Sequence, residues 1–208
     1  MEKVASKAKI DFQLINEAMN YDEYTALLTK LLSEGKTTGE NQSEEMLHYA
    51  KLNLQRMKRL NKTIELSSKL KTTLSHPRSK KMIWLVITEG WCGDAAQNIP
   101  LINHIAEKSV NIELKLILRD QHLEIMDQFL TNGSRSIPKL IALNATDLSI
   151  LGTWGPRANE AQKMVETFKK QTTGDYQEFA KVLQLWYAKD KTSAQQEEFE
   201  SLIPTWAN

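Results

Sequence analysis

One side chain in this sequence is suited to nucleophilic chemistry by both its type and its place: the thiol of Cys92, in the segment Trp91-Cys92-Gly93-Asp94-Ala95. The segment follows an apolar run, Met82 to Ile87, and opens a stretch with helical patterning. A thiol at that position meets the free N–H groups and partial positive charge of a helix start. Both favour the thiolate, which is the nucleophile. Trp91 can shield one side of the sulfur, and Gly93 lets a partner backbone approach closely. Asp94 has two readings. Its charge raises the thiol pKa against the pull of the helix end, or its carboxylate caps the helix and takes up the N–H groups. The sequence leaves the net sign open. The bland reading of Cys92 is an inert buried residue, since free cysteine is among the most buried types. Its strand-turn-helix placement favours an exposed functional thiol instead.

Little else in the chain offers chemistry. A single cysteine excludes a disulfide framework and multi-cysteine metal sites. His48, His76, His104 and His122 are dispersed, with no pair at metal-ligand spacing, so neither metal nor cofactor is expected. No apolar run approaches the roughly 18–20 residues of a membrane span. The start MEKVASKAKIDF has no apolar core behind its positive charge and does not read as a secretory signal. The expected setting is the cytoplasm, with no membrane partner.

The elements that must position Cys92 follow from periodicity. The chain has 208 residues, enough for one domain with a helical extension. Tyr24, Leu27, Leu28, Leu31 and Leu32 form a helical stripe that Gly35 ends. Ser43 with Glu44 and Glu45 starts a second helix, whose stripe runs through Leu47, Ala50, Leu54, Met57 and Ile64 towards Leu74 before His76-Pro77. Met82 to Ile87 reads as a buried central strand and Ile112 to Leu118 as a second. A helix is expected from the cysteine turn to about Lys108 and another over His122 to Leu130. Strands are expected over Lys139 to Leu143 and near Leu148 to Leu151. Pro156 opens a further helix, Tyr176 to Ala188 is amphipathic, and Phe199, Leu202 and Ile203 end a short last one. The order predicts a three-layer α/β domain with parallel strands first and a hairpin last.

Net charge is only +1, but Lys51 to Lys81 is rich in bases, with Glu65 the one acid. A solvated helix face pairing with the acidic C-terminal helices is the expected role. The segment carries no aromatic residue for stacking on bases, so no nucleic-acid partner is expected.

The cysteine segment resembles the active-site signature of the thioredoxin family, Trp-Cys-Gly-Pro-Cys at a strand-to-helix turn. Three further landmarks lie in register: Pro100 in the following helix, Ser136-Ile137-Pro138 before the third strand, and Gly152 where the family has a turn glycine. The resemblance covers about Lys81 to Lys170. It implies a thioredoxin-like fold spanning residues 77–171, with an N-terminal helical extension (1–76) and extra C-terminal helices (172–208) packed on the domain. It also implies a cis bond at Ile137-Pro138, whose loop lies against Cys92 and binds substrate backbone. The implied site is Cys92 as the reacting residue, with Trp91, Gly93, Asp94, Ile137 and Pro138 as the substrate groove. Three departures matter. Ala95 stands where the second cysteine belongs, Asp94 replaces the proline, and Val86 replaces the family's buried acid. Without a resolving cysteine, cycling through an internal disulfide is excluded. The implied function is a monothiol redox protein acting in cell redox homeostasis. Its partners would be a protein or low-molecular-weight thiol or disulfide substrate and an external thiol reductant. The alternative is a catalytically silent fold used for binding or as a scaffold, with the basic 51–81 segment as its contact surface.

Overall fold

A computed structural model of the chain describes residues 10–76, 80–171 and 174–207. Four helices precede the sheet: α1 (Phe12–Glu17), α2 (Tyr21–Ser33), α3 (Glu44–Thr63) and α4 (Ser68–Ser75). A capping box starts α2. The Asn20 side chain accepts from the Glu23 N–H, and the Glu23 carboxylate accepts from the Asn20 N–H. Gly35 follows α2 at φ 71°, a left-handed conformation that suits glycine. Ser43 caps α3, as its type suggests. The stripe expected to run on to Leu74 is interrupted between α3 and α4. Ser67 caps α4 by accepting from the Leu70 N–H, and its own N–H and hydroxyl donate to Gln196 and Glu200 of the last helix. Those tertiary partners hold Ser67 outside the helix. The expected stop at Pro77 lies outside the described residues.

The sheet has the order β2-β1-β3-β4, with β1 (Met82–Thr88), β2 (Ile112–Leu118), β3 (Lys139–Asn144) and β4 (Ile150–Trp154). β1 and β2 are parallel because α5 (Gly93–Lys108) forms the crossover between them. The third strand corrects the expectation of parallel strands: β3 pairs antiparallel with β1 and antiparallel with β4. This pairing sets the start of β3 beside the end of β1, with Lys139 opposite Ile87. A parallel β3 would carry Pro138 to the far end of β1, away from the cysteine turn.

Other boundaries also differ. The helix expected over His122 to Leu130 is a 3-10 turn (Arg119–Gln121) and one helical turn, α6 (Leu123–Met126), after which the hydrogen bonds shorten to i→i−3. β4 begins at Ile150 because Leu148, at φ 59°, belongs to the preceding tight turn. Pro156 does not open a helix. The Gly155-Pro156 bond is cis, and α7 (Asn159–Lys169) starts later. α8 (Tyr176–Asp190) and α9 (Ser193–Ala207) follow, and α9 is fifteen residues, not a short end piece.

Every residue of β1 is buried, so both faces of this strand are covered. Trp84 stacks on Phe199 at 5.3 Å between ring centroids and meets Trp206 edge-on at 5.9 Å. Ile15, Tyr24, Leu28, Leu54, Met57 and Leu70 from the first helices share this core. Ala161, Val165, Leu183 and Tyr187 of α7 and α8 form a separate small cluster. Of the basic segment, Lys69 reaches an acid of α9, Glu200, at 3.0 Å. Among the described residues no helix is long and apolar enough to cross a membrane.

Gly152 is not a turn glycine. It lies within β4 opposite Ala142, and the Trp206 indole rests on it. A Cβ there would sit 2.0 Å from Trp206 Nε1. Gly152→Ala is therefore expected to lower stability by about 1–3 kcal/mol through overpacking, read as a lower urea midpoint. An unchanged midpoint would show that α9 yields freely.

Candidate active site around Cys92

Cys92 is the N-cap residue of α5. Its Sγ accepts the Ala95 N–H at 3.4 Å, and its S–H donates to the Ile137 carbonyl at 3.3 Å. The sulfur thus satisfies one orphan donor of the helix start while pointing its proton at the loop before β3. The Ile137-Pro138 bond is cis. The topology therefore brings Cys92 and Ile137 together, with Pro138 next in the chain.

The thiol is not exposed, which corrects the expectation of an open, thiolate-stabilising site. Cys92 is 8% exposed. Burial pushes its pKa up to about 12, and the Asp94 charge pushes in the same direction. The Ala95 N–H, the Arg157 charge and the Asp94 N–H pull it down without offsetting burial. Desolvation outweighs the helix end here, because the thiolate would lose water on every side and gain only weak N–H donors.

Asp94 does not cap the helix; the sulfur takes that role. Its carboxylate is buried, with one oxygen accepting from the Tyr187 hydroxyl at 2.9 Å and the other paired with Arg157 Nη2 at 2.6 Å. Burial disfavours the charge on Arg157, yet Asp94 outweighs it and the guanidinium pKa is raised. Asn98, one turn along, donates to the Asp94 carbonyl, the Pro156 carbonyl and the Tyr187 hydroxyl, and accepts from Gln195. The first two turns of α5 are therefore tied by polar bonds to the loop before α7, to α8 and to α9.

Gly93 is half-buried, with the ends of two long side chains near it. A Cβ on it would lie 3.2 Å from Gln184 Nε2 of α8 and 3.8 Å from Arg56 Nη1 of α3. Trp91 is half-buried, and its ring lies under the Arg119 guanidinium at 4.8 Å. The turn itself is held from outside. Asn53 donates to the Gly90 carbonyl, and the Gly90 N–H donates to Thr38. Gly155, at φ 105°, is a second required glycine: a Cβ there would meet the Pro138 carbonyl at 2.4 Å. The two cis-proline loops pack directly on each other.

Sequence reasoning missed Glu89, Asn98, Arg157 and Tyr187. Glu89 is fully buried three residues before the thiol, where its carboxylate accepts from the Asp120 N–H at 2.9 Å; burial raises its pKa. An acid two residues after the apolar run Met82 to Ile87 was the available signal. Among the described residues no cluster could hold a metal ion.

A family model described as thioredoxin matches residues 39–171. Two solved structures resemble the chain. A protein of unknown function from Pseudomonas aeruginosa is 18% identical, with 89% of this chain and 98% of that one covered and a TM-score of 0.54. An HIV epitope scaffold is 18% identical over the same shares, with a TM-score of 0.53. At that identity both show the fold alone. No curated protein matches the chain.

Two outcomes test this geometry. Arg157→Met leaves Asp94 buried and unpaired and is expected to cost about 3–5 kcal/mol. Lys181→Met, in the pair with Glu178 that is exposed on both sides, is expected to cost no more than about 1 kcal/mol. Equal urea midpoints would contradict the assigned difference. The second outcome concerns pH. The unfolded thiol ionises near about 8.5, whereas the native thiol holds its proton towards about 12. Its contribution to stability is thus complete below the unfolded pKa and is lost as pH rises between the two. Cys92→Ala should flatten the alkaline fall in stability relative to the parent; identical slopes would show an unshifted thiol.

Proposed function

Because the chain belongs to the thioredoxin family, we propose that it is a thiol–disulfide exchange protein of monothiol type, with Cys92 as the reacting residue. The carrying observation is the pairing of the Cys92 thiol with the Ile137 carbonyl, 3.3 Å away at a helix start beside a cis-proline loop. In this reading Cys92 gives up its proton and its sulfur attacks one sulfur of a disulfide on a protein or a low-molecular-weight thiol. The S–S bond breaks, a mixed disulfide forms on Cys92, and the released sulfur takes the proton. Ala95 supplies no second thiol, so an external thiol attacks the mixed disulfide, restores the Cys92 thiol and leaves as a new disulfide with the bound group. Gly93, Trp91, Asp94 and the Ile137-Pro138 loop would line the docking groove. The reducing thiols this cycle needs fit a cytoplasmic setting.

The second reading, a silent fold used for binding, is favoured by one specific observation: the buried thiol with its pKa near about 12. At neutral pH burial keeps that thiol protonated. The exchange reading therefore requires a state in which the thiol is uncovered.

Oxidised glutathione separates the two. The exchange reading expects one glutathione on Cys92 by mass spectrometry, released by added thiol, with no insulin reduction in the absence of such a thiol. Ala95→Cys should add an internal disulfide if the helix start allows the required geometry. No adduct on the native protein over hours, with ready adduct formation in urea, would support the silent reading.

A further inference from the structure

α7 and α8 pack on each other through an apolar cluster of their own. Their apolar contact is the cluster of Ala161, Val165, Leu183 and Tyr187, with Phe179 and Trp186 against it, separate from the main core. Phe179 also stacks on Phe168 at 4.2 Å, further binding α8 to α7. The bonds from this pair to α5 are polar. Gln97 donates to Gln184 at 2.7 Å, Tyr187 donates to Asp94, and Asn98 donates to Tyr187. Gln184 fills the space over Gly93, the residue after Cys92. The outer face of α8 leaves Val182 and Leu185 more than half exposed.

The ends of the pair carry unusual backbone. The chain enters α7 through Gly155 at φ 105° and leaves α8 through Lys191 at φ 51° and Thr192 at φ 70°. Left-handed φ at a β-branched residue is a genuine outlier. Consecutive left-handed residues at the junction of α8 and α9 make a natural place for the chain to change direction.

We propose that the α7–α8 pair is a cap over the N-terminal turn of α5, held by Gln184 and Tyr187, and that Cys92 becomes accessible when this cap lifts. The inference deepens the exchange reading by supplying the uncovered state that reading requires. Lifting breaks the bonds of Gln184 and Tyr187 to α5 and of Glu166 to Asn132, and no apolar contact that joins the two clusters, while the Asp94–Arg157 pair, ahead of α7, and the α7–α8 cluster stay intact. Low-cost local opening of this kind is drawn from elements with few apolar ties to the body. The thiol is protected in the closed state and presented with Gly93 and the Ile137-Pro138 loop in the open one.

The test is the rate at which N-ethylmaleimide modifies Cys92 in the folded full chain at neutral pH, with amide hydrogen exchange of β1 as the monitor of global unfolding. The parent should react slowly. Gln184→Ala with Tyr187→Phe should raise the rate at least tenfold while β1 exchange changes by a smaller factor. Gln184→Ala alone gives an intermediate rate and serves if the double variant folds poorly. Leu185→Lys, on the outer face, should leave the rate unchanged. The cap is overturned if the variants react like the parent, if the rate rises only in step with β1 exchange, or if the parent reacts as fast as the unfolded chain. Oxidised glutathione distinguishes the two proposals. A double variant open to the maleimide yet inert to glutathione keeps the cap and ends the exchange reading. Ready glutathione exchange in the parent, unaltered in the double variant, does the reverse.

Discussion

The buried pair of Asp94 and Arg157 is the constraint on which the site depends. It joins the first turn of α5 to the loop before α7, and the Tyr187 hydroxyl joins α8 to the same carboxylate. A charge this far from water is tolerated only with its partners in place. Each partner comes from a different segment, so the pair fixes the loop ahead of α7 against the cysteine turn. It also sets the electrostatics of the thiol. Asp94 opposes ionisation of Cys92 and Arg157 favours it, and with burial added the balance falls on the protonated side.

That balance separates a helix start from an activated thiol. The N–H groups at the head of α5 do reach the sulfur, through Ala95. They favour the thiolate, but desolvation wins because Cys92 is closed in by its own chain. The proton then has a defined acceptor, the Ile137 carbonyl. Chemistry at this position is a matter of access before it is a matter of charge, and access lies with the helices that follow the sheet.

What the sequence made legible was local. Met82 to Ile87 announces itself as a strand by a continuous apolar run, and Ile112 to Leu118 by alternation that gives way to apolar residues. Ser43 and Gly35 mark helix ends by residue type alone. The meeting of Cys92 with Ile137 was readable through the family motif. Pairing direction was not, since a strand's own pattern is the same whichever way its neighbour runs. The break at Ser67 was hidden because its deciding partners, Gln196 and Glu200, lie far along the chain. Arg157 and Tyr187 stayed hidden for the same reason: no local spacing ties them to Asp94. Gly152 shows the converse, a residue noticed for the wrong role, since an indole resting on a strand leaves no trace in a single sequence.

The central claim is that the folded chain keeps Cys92 covered and protonated. Titration of the native protein by the far-ultraviolet absorbance of the thiolate, with Cys92→Ala as the blank, tests it directly. The account predicts no thiolate signal through the range near about 8.5 where a free cysteine ionises, and a rise only towards about 12 or on unfolding. A cooperative thiolate signal with a midpoint at or below about 8.5, in protein that remains folded, would contradict it.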